Sequence, residues 1–283
     1  MLNKTITAVI PNYNYATYLR RRIQEVLNQT YHVTEIVILD DASTDNSQDL
    51  ISEIVSELRQ THPNLKIKTD FNTKNSENVF SQWQRGIKLA TSEYIWICEL
   101  DDSASPEFLS TLMPAFNDKE VVLSYCDSRI INKNSHLIIK DTLRQAKDLF
   151  RRRHTLGDYV VDGETELNKN LAVFNSIPNV SAIVFKNLPA LSKILDQAKT
   201  YHLSGDWYFY IELAKLGKIA YSRQRLNCHR IHQNSVTNNT NLKERYKEME
   251  LIHQHVEDTV NLSKKTKSRI AKLEANLKRR WRA

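Results

Sequence analysis

Three carboxylates, Glu99, Asp101 and Asp102, follow directly on an apolar run, Tyr-Ile-Trp-Ile-Cys at residues 94–98. A short apolar run of this kind reads as a buried strand. Acids at its C-terminal end fall in the crevice where open α/β sheets bind ligands. So close together they repel one another unless a cation sits among them. A hard divalent ion suits such a place, because Mg²⁺ is usually held by one or two carboxylates together with substrate phosphates. A solvated loop after a strand has the same composition, so the segment gains meaning only from its company.

Four other stretches could supply that company. Asp206, in Ser204-Gly-Asp-Trp207, stands where a helix begins; it can cap that helix or act as a general base toward a hydroxyl. Trp207 beside it would offer an apolar platform to a sugar face. Arg230 and His232 flank Ile231, so on a strand they share one face, with His229 on the other; two donors on one face suit a diphosphate. Zinc is unsupported, since no third ligand stands at suitable spacing. Pro11-Asn-Tyr-Asn-Tyr15 ends the first apolar segment, where Tyr13 can stack on a flat base or merely cover the sheet edge. Asp40-Asp41 ends the second, and an acceptor-only carboxylate suits the N–H of a uracil or thymine ring. A phosphorylated receiver domain also carries acids at strand ends, but this chain is too long and its triple acid follows the fourth strand.

The elements that must carry these residues alternate through the first half. Strands are expected at residues 5–11, 35–39, 65–68, 94–98 and 121–125, with helices at 17–29, 45–60, from Ser76 onward, and from Pro106 onward. This βαβα order predicts a mostly parallel, doubly wound sheet. Residues 127–167 read as a hairpin and loops; 180–185 as a strand and 189–197 as a helix; Gly205 opens a helix ending near Gly217; 218–221 and 226–231 read as two strands. From Asn241 onward the chain is polar and helical, with Ile270, Leu273 and Leu277 as a narrow apolar stripe.

Composition narrows the function classes. The chain of 283 residues is 41% hydrophobic and 26% charged, ordinary for a soluble globular protein. No apolar run is long enough to span a bilayer, and no signal peptide is apparent. Three widely spaced cysteines suggest reduced thiols, hence a cytoplasmic location. The net charge is +7, but residues 264–282 alone hold nine basic side chains and one acid. The basicity therefore belongs to the tail, and nucleic-acid binding by the main body is unsupported. Such a tail is either a solvated face or an attachment to an anionic membrane surface. Five glycines leave no Gly-rich phosphate loop, so any nucleotide must be held another way.

Taken together, Ile6-Thr-Ala-Val-Ile-Pro-Asn-Tyr-Asn-Tyr, Leu27-Asn-Gln-Thr-Tyr, Ile38-Leu-Asp-Asp-Ala-Ser-Thr-Asp-Asn-Ser and Glu99-Leu-Asp-Asp resemble family 2 glycosyltransferases of GT-A fold. Tyr125-Cys-Asp-Ser-Arg129, Ile177-Pro-Asn-Val-Ser181, Gly205-Asp-Trp207, Leu226-Asn and Arg230-Ile-His resemble a bacterial surface-polysaccharide subset. The resemblance implies a Rossmann-like, mostly parallel sheet with helices on both faces over residues 1–237; the basic helical extension over 238–283 lies outside it. It implies an inverting transfer from a nucleotide-diphosphate sugar, UDP- or dTDP-linked, to a hydroxyl of a glycan or lipid-linked acceptor. Pro11, Tyr13, Asp41, Asn75, Glu99 and Asp101 would hold the nucleotide, Asp101 and His232 the Mn²⁺ or Mg²⁺, and Arg230 and His232 the diphosphate. Asp206 would be the base, with Trp207 and Arg129 toward the acceptor. A nucleotidyltransferase and a catalytically inactive sugar-nucleotide or glycan-binding domain are the competing readings. A peripheral place on the inner face of the cytoplasmic membrane follows if the tail binds lipid.

Overall fold

The protein is described by a computed structural model covering residues 4–139, 157–231 and 242–282. The N-terminal half builds a parallel block from β1 (Ile6–Asn12), β2 (Glu35–Asp40), β3 (Lys66–Phe71) and β4 (Tyr94–Ile97). Strands β2 and β4 flank β1, and β3 lies outside β2. Their register is level at the C-terminal edge: Asn12 pairs with Asp40 and Asp40 with Phe71. The loops after all four strands therefore open on one rim, where the sequence placed the acids.

The sheet continues as β4-β9-β6-β10-β5. Here β5 is Ser103–Ala104, β6 Val121–Asn132, β9 Ile183–Lys186 and β10 Lys218–Ile231. Strand β9 runs antiparallel to both its neighbours, while β6 and β10 are parallel. Short strands β7 (Leu137–Ile139) and β8 (Tyr159–Asp162) pair with β6 and β10. Two expected strands, 218–221 and 226–231, are one: β10 runs through with register shifts between Ser222 and Asn227. The polar stretch Ser222-Arg-Gln-Arg225 breaks the apolar alternation, and such irregularities bend a strand without ending it.

Helices cover both faces. Alternate residues of β1 point to opposite sides: Ile6, Ala8 and Ile10 join one apolar cluster and Val9 the other. Helices α1 (Ala16–Leu27), α2 (Ser47–Thr61) and α4 (Phe108–Leu112) pack on the first face, and α3 (Val79–Leu89), α5 (Leu191–Ala198) and α6 (Gly205–Ala214) on the second. Helix α3 begins three residues later than expected. Asn78 is its cap, accepting from Ser81 N at 3.2 Å, because the Ser76 hydroxyl is committed to Asp41 at 2.7 Å.

The C-terminal helices α7 (Leu242–Thr259) and α8 (Lys264–Arg282) are not a detached tail. Ile252, Val256 and Ile270 are fully buried in the same apolar cluster as Trp83 and Phe209. Of the stripe seen in the sequence, Ile270 is buried, Leu273 packs half-buried against the same cluster and Leu277 is half-buried, while the lysines at 264, 265, 267, 272 and 278 are exposed.

Candidate functional site

The acid loop after β4 is fixed from beneath by its backbone. Arg21 of α1 donates to the carbonyls of Asp102 (2.9 Å) and Leu100 (3.3 Å). Arg230 Nε donates to the carbonyl of Asp101 at 2.7 Å. Both guanidinium groups lie over the Tyr18 ring, 5.3 and 5.5 Å from its centre, a favourable cation–π arrangement. The half-buried Glu99 accepts from Trp83 Nε1 at 2.8 Å, and its N–H donates to Ser181 Oγ at 3.1 Å. Burial and the charge of Asp101 push the Glu99 carboxyl up to about 8, although Trp83 works against the shift. Burial, and then Asp101, also push up the hydroxyl of Tyr15. Negative charge is thus concentrated around Asp101.

Asp102 is the anchor of this loop. It is 2% exposed and receives Asn179 Nδ2 at 2.5 Å, the Arg230 N–H at 3.1 Å and His229 Nδ1 at 3.2 Å. Asn179 Oδ1 in turn accepts from Asn227 at 2.9 Å, and Asn227 also reaches Ser128 at 2.9 Å. Three motifs recognised separately in the sequence, around residues 128, 179 and 227, therefore meet in one buried network. Burial raises the Asp102 carboxyl, but the hydrogen bond and charge of His229 outweigh it and hold it below its ordinary value.

On the side of β1–β3, Tyr13 is 44% exposed at the rim and Pro11 is buried in β1. Asp41, 5% exposed, accepts from Asn72, from Ser76 N at 2.9 Å and from Ser76 Oγ at 2.7 Å. A carboxylate has roughly four lone-pair sites, so one remains for a ligand N–H. Asn75 turns back to its own loop, accepting from Glu77 N at 2.6 Å. Asn14, Ala42 and Glu77, in the loops after β1, β2 and β3, have φ of 56°, 59° and 55°. Backbone held in this left-handed region by residues with a Cβ is costly, and it clusters at functional sites.

Asp206 completes the rim from the other half of the chain. Helix α6 begins at Gly205, where an added Cβ would lie 2.5 Å from Phe80 Cε2 and 2.6 Å from the Ala198 carbonyl oxygen. Only glycine lets the helix start so close, and that sets the next residue, Asp206. Its carboxylate accepts from Trp207 N at 2.6 Å and from Asn175 Nδ2 at 3.2 Å. Burial pushes it up to about 6 despite those bonds and the nearby His229. Burial opposes a charge on His229, but Asp102, Asp101 and Asp206 outweigh it and raise the ring's pKa. His229 therefore feels the charges of Asp101 and Asp206 as well as that of its partner Asp102.

Several expectations are corrected. Arg230 does not present its guanidinium to a diphosphate: it is 1% exposed and donates to Asp101, to the carbonyl of Asn132 (2.8 Å) and to Ser135 (3.1 Å). Trp207 is no sugar platform: it is 5% exposed, with its Nε1 on the Leu171 carbonyl at 2.7 Å. His229, assigned to the opposite face, is the side chain that joins Asp102. Residues 228–231 keep regular register with β6, so His229 does lie opposite Arg230; it is the His229 face that turns toward the acid loop. Arg129 is half-buried beside Cys228, its partner across β6 and β10. His232 lies outside the described residues. Asp102 was expected only as one of three clustered acids and not as the anchor of the loop, and Asn179 and Arg21 were given no role. Only the asparagine's place in a quoted motif hinted at its importance.

Among the described residues no three His, Cys, Asp or Glu side chains form a ready-made metal cage. The residues fit a divalent ion held in the other way, by hard carboxylate oxygen at Asp101 with substrate phosphates completing the sphere. Burial first, and then the charge of Asp101, raise the Glu99 carboxyl there, and a cation would offset the second of these.

A family model described as Glycosyl transferase family 2 matches residues 7–166, more than half of the chain. An uncharacterized glycosyltransferase of Nostoc sp. is 38% identical over 117 residues, 41% of this chain and 34% of that protein. The chondroitin synthase of Pasteurella multocida is 28% identical over 134 residues, 47% of this chain and 13% of that protein. The chain thus matches about a third or less of these relatives' length. Among solved structures, S. aureus TarS 1-349 in complex with UDP-GlcNAc superposes with a TM-score of 0.68 at 18% identity, covering 96% of this chain and 72% of that one. Mannosyltransferase PcManGT from Pyrobaculum calidifontis, in complex with GDP-Man and Mn²⁺, gives 0.63 at 15% identity, covering 98% and 70%. At such identities the likeness is one of fold.

Proposed function

Since the chain belongs to glycosyl transferase family 2 and has the GT-A type of sheet, we propose that it transfers a sugar, with inversion, from a nucleoside-diphosphate sugar to a hydroxyl of a glycan or lipid-linked acceptor. The observation that supports the proposal most is His229, bonded to Asp102 of the acid loop at 3.2 Å while the charges of Asp101 and Asp206 both act on its ring. The names of the relatives, a chondroitin synthase and a glycosyltransferase, support a polysaccharide acceptor.

The donor lies along the rim of β1–β4. The exposed Tyr13 ring stacks on the base, and the remaining acceptor site of Asp41 takes a ring N–H, which favours uracil or thymine. Glu99 and Asp101 face the ribose and diphosphate end. Asp101 would hold Mn²⁺ or Mg²⁺, and a bound ion there would neutralise the charge that grows on the departing diphosphate. The reaction is one displacement. The acceptor oxygen forms its bond to the anomeric carbon, the bond from that carbon to the phosphate oxygen breaks, and the nucleoside diphosphate leaves with the electron pair. Asp206 takes the hydroxyl proton. The loop fixed by Arg21, Arg230 and the His229–Asp102 bond holds Asp101, and Asn175 and the Trp207 N–H hold Asp206, before the substrates arrive, so little reorganisation is left for the reaction itself.

A panel of UDP-, dTDP- and GDP-sugars tests this. With Mn²⁺ present, one donor should raise the melting temperature and should yield a lengthened acceptor and a free nucleoside diphosphate by mass spectrometry. Excess EDTA should abolish the transfer. Pyrophosphate as product would mark nucleotidyl transfer instead, and binding without any product would mark a non-catalytic domain.

A further inference from the structure

Helix α7 closes on the segment that presents Asp206 with a set of contacts that the transfer chemistry has not used. The Glu248 carboxylate accepts three successive backbone N–H groups: His202 at 2.5 Å, Leu203 at 2.9 Å and Ser204 at 2.7 Å. These are the residues that lead into α6, and Asp206 lies two positions beyond Ser204. A carboxylate bonded by several amides is a strong, geometrically defined clamp. One turn and a half further along α7, the 2% exposed His253 reaches both supports of the Asp206 carboxylate. Its Nε2 lies 3.0 Å from the carbonyl of Val173, two residues before Asn175, which donates to Asp206. Its ring meets Trp207, whose N–H donates to Asp206, edge-on at 5.7 Å. Its Nδ1 is tied to Glu274 of α8 at 2.8 Å. Still further on, His255 lies 2.8 Å from Glu212 and packs on the Tyr208 ring of α6.

We propose that the two C-terminal helices are a brace for Asp206, with Glu248 and His253 as positioning residues that fix the carboxylate and keep it out of bulk water. The inference deepens the reading of Asp206 as the base, but its geometry does not depend on that reading. Losing Glu248 frees three amides and lets the start of α6 fray. Asp206 then gains solvent, and the burial that raises its pKa is relieved.

The test needs no substrate. In the full chain, hydrogen exchange and the carboxyl titration of Asp206, assigned by its loss in Asp206→Asn, are followed by mass spectrometry and carbon-13 NMR. In Glu248→Ala, exchange over residues 202–208 should rise at least about tenfold while β1 and β4 stay protected. The Asp206 midpoint should fall from about 6 toward the ordinary carboxylate range. Glu248→Gln, which keeps one acceptor oxygen, should recover part of both effects. An unchanged Asp206 midpoint in Glu248→Ala, or exchange rising equally across the whole sheet, would overturn the brace. Failure of the base reading shows elsewhere, as undiminished sugar transfer by Asp206→Asn, so the two are separable.

Discussion

Asp206 couples function to stability through one number. Its carboxyl is raised to about 6 by burial, and a base must be ionised to accept a proton. Transfer should therefore rise with pH through a midpoint near 6, read from the pH dependence of kcat/KM. The same shift carries a stability consequence. An acid with a raised pKa in the fold costs nothing below its unfolded pKa; its penalty grows between about pH 4 and 6 and is complete above that. Asp206→Asn should therefore melt higher than the wild type at pH 8, by about 2–3 kcal/mol in unfolding free energy, and show no gain at pH 4. A pH-independent difference would contradict the burial account. The sequence made Asp206, Asp101 and Asp41 legible because each ends or begins an element whose period is clear. It hid which face of β10 serves the acid loop, and so the role of His229, and it hid the burial of Arg230 and Trp207. Chain spacing tells which residues can meet; it does not tell which of two neighbours the core will claim.

Among elements, the parallel block β1–β4 was plain in the alternation of apolar and polar segments, down to a level C-terminal rim. The insertion of β9 between β4 and β6 was not, because antiparallel pairing between distant segments leaves no local period. That insertion matters: the turn before β9 supplies Asn179 and Ser181 to the acid loop. Asn179→Ala would leave Asp102 and Asn227 each short of a buried partner. Unsatisfied groups of this kind cost about 1–3 kcal/mol each, so denaturant unfolding should show a loss of a few kcal/mol. The freed acid loop should also weaken nucleoside-diphosphate binding in calorimetry. A variant that matches the wild type in both would mean that the network does not hold the loop.

For the molecule as a whole, the C-terminal helices looked in the sequence like a polar appendage. Part of their apolar surface instead packs into the main core, where Ile252, Val256 and Ile270 are buried beside the sheet's second layer. No helix among the described residues is long and apolar enough to cross a membrane. With Ile270 buried, the exposed described side chains by which α8 could meet a membrane are mostly basic, Lys264, Lys265, Lys267, Lys272, Lys278 and Arg279. Binding to vesicles containing anionic lipid should therefore be electrostatic, at about 1 kcal/mol per basic side chain near the surface. It should be lost in high salt, where the screening length drops to about 3 Å, and absent with neutral vesicles. Replacing Lys264, Lys265, Lys267 and Lys272 by glutamate should abolish co-sedimentation without unfolding the domain. Salt-resistant binding would point to some other attachment.

In the proposed reaction two carboxylates work at the two ends of one transfer. Turnover by Asp206→Asn, with the stabilising donor and its acceptor both saturating, tests this most directly. The expected result is a loss on the order of 10²–10⁴ in kcat, with donor affinity in calorimetry kept within about twofold. Turnover equal to that of the wild type would contradict it.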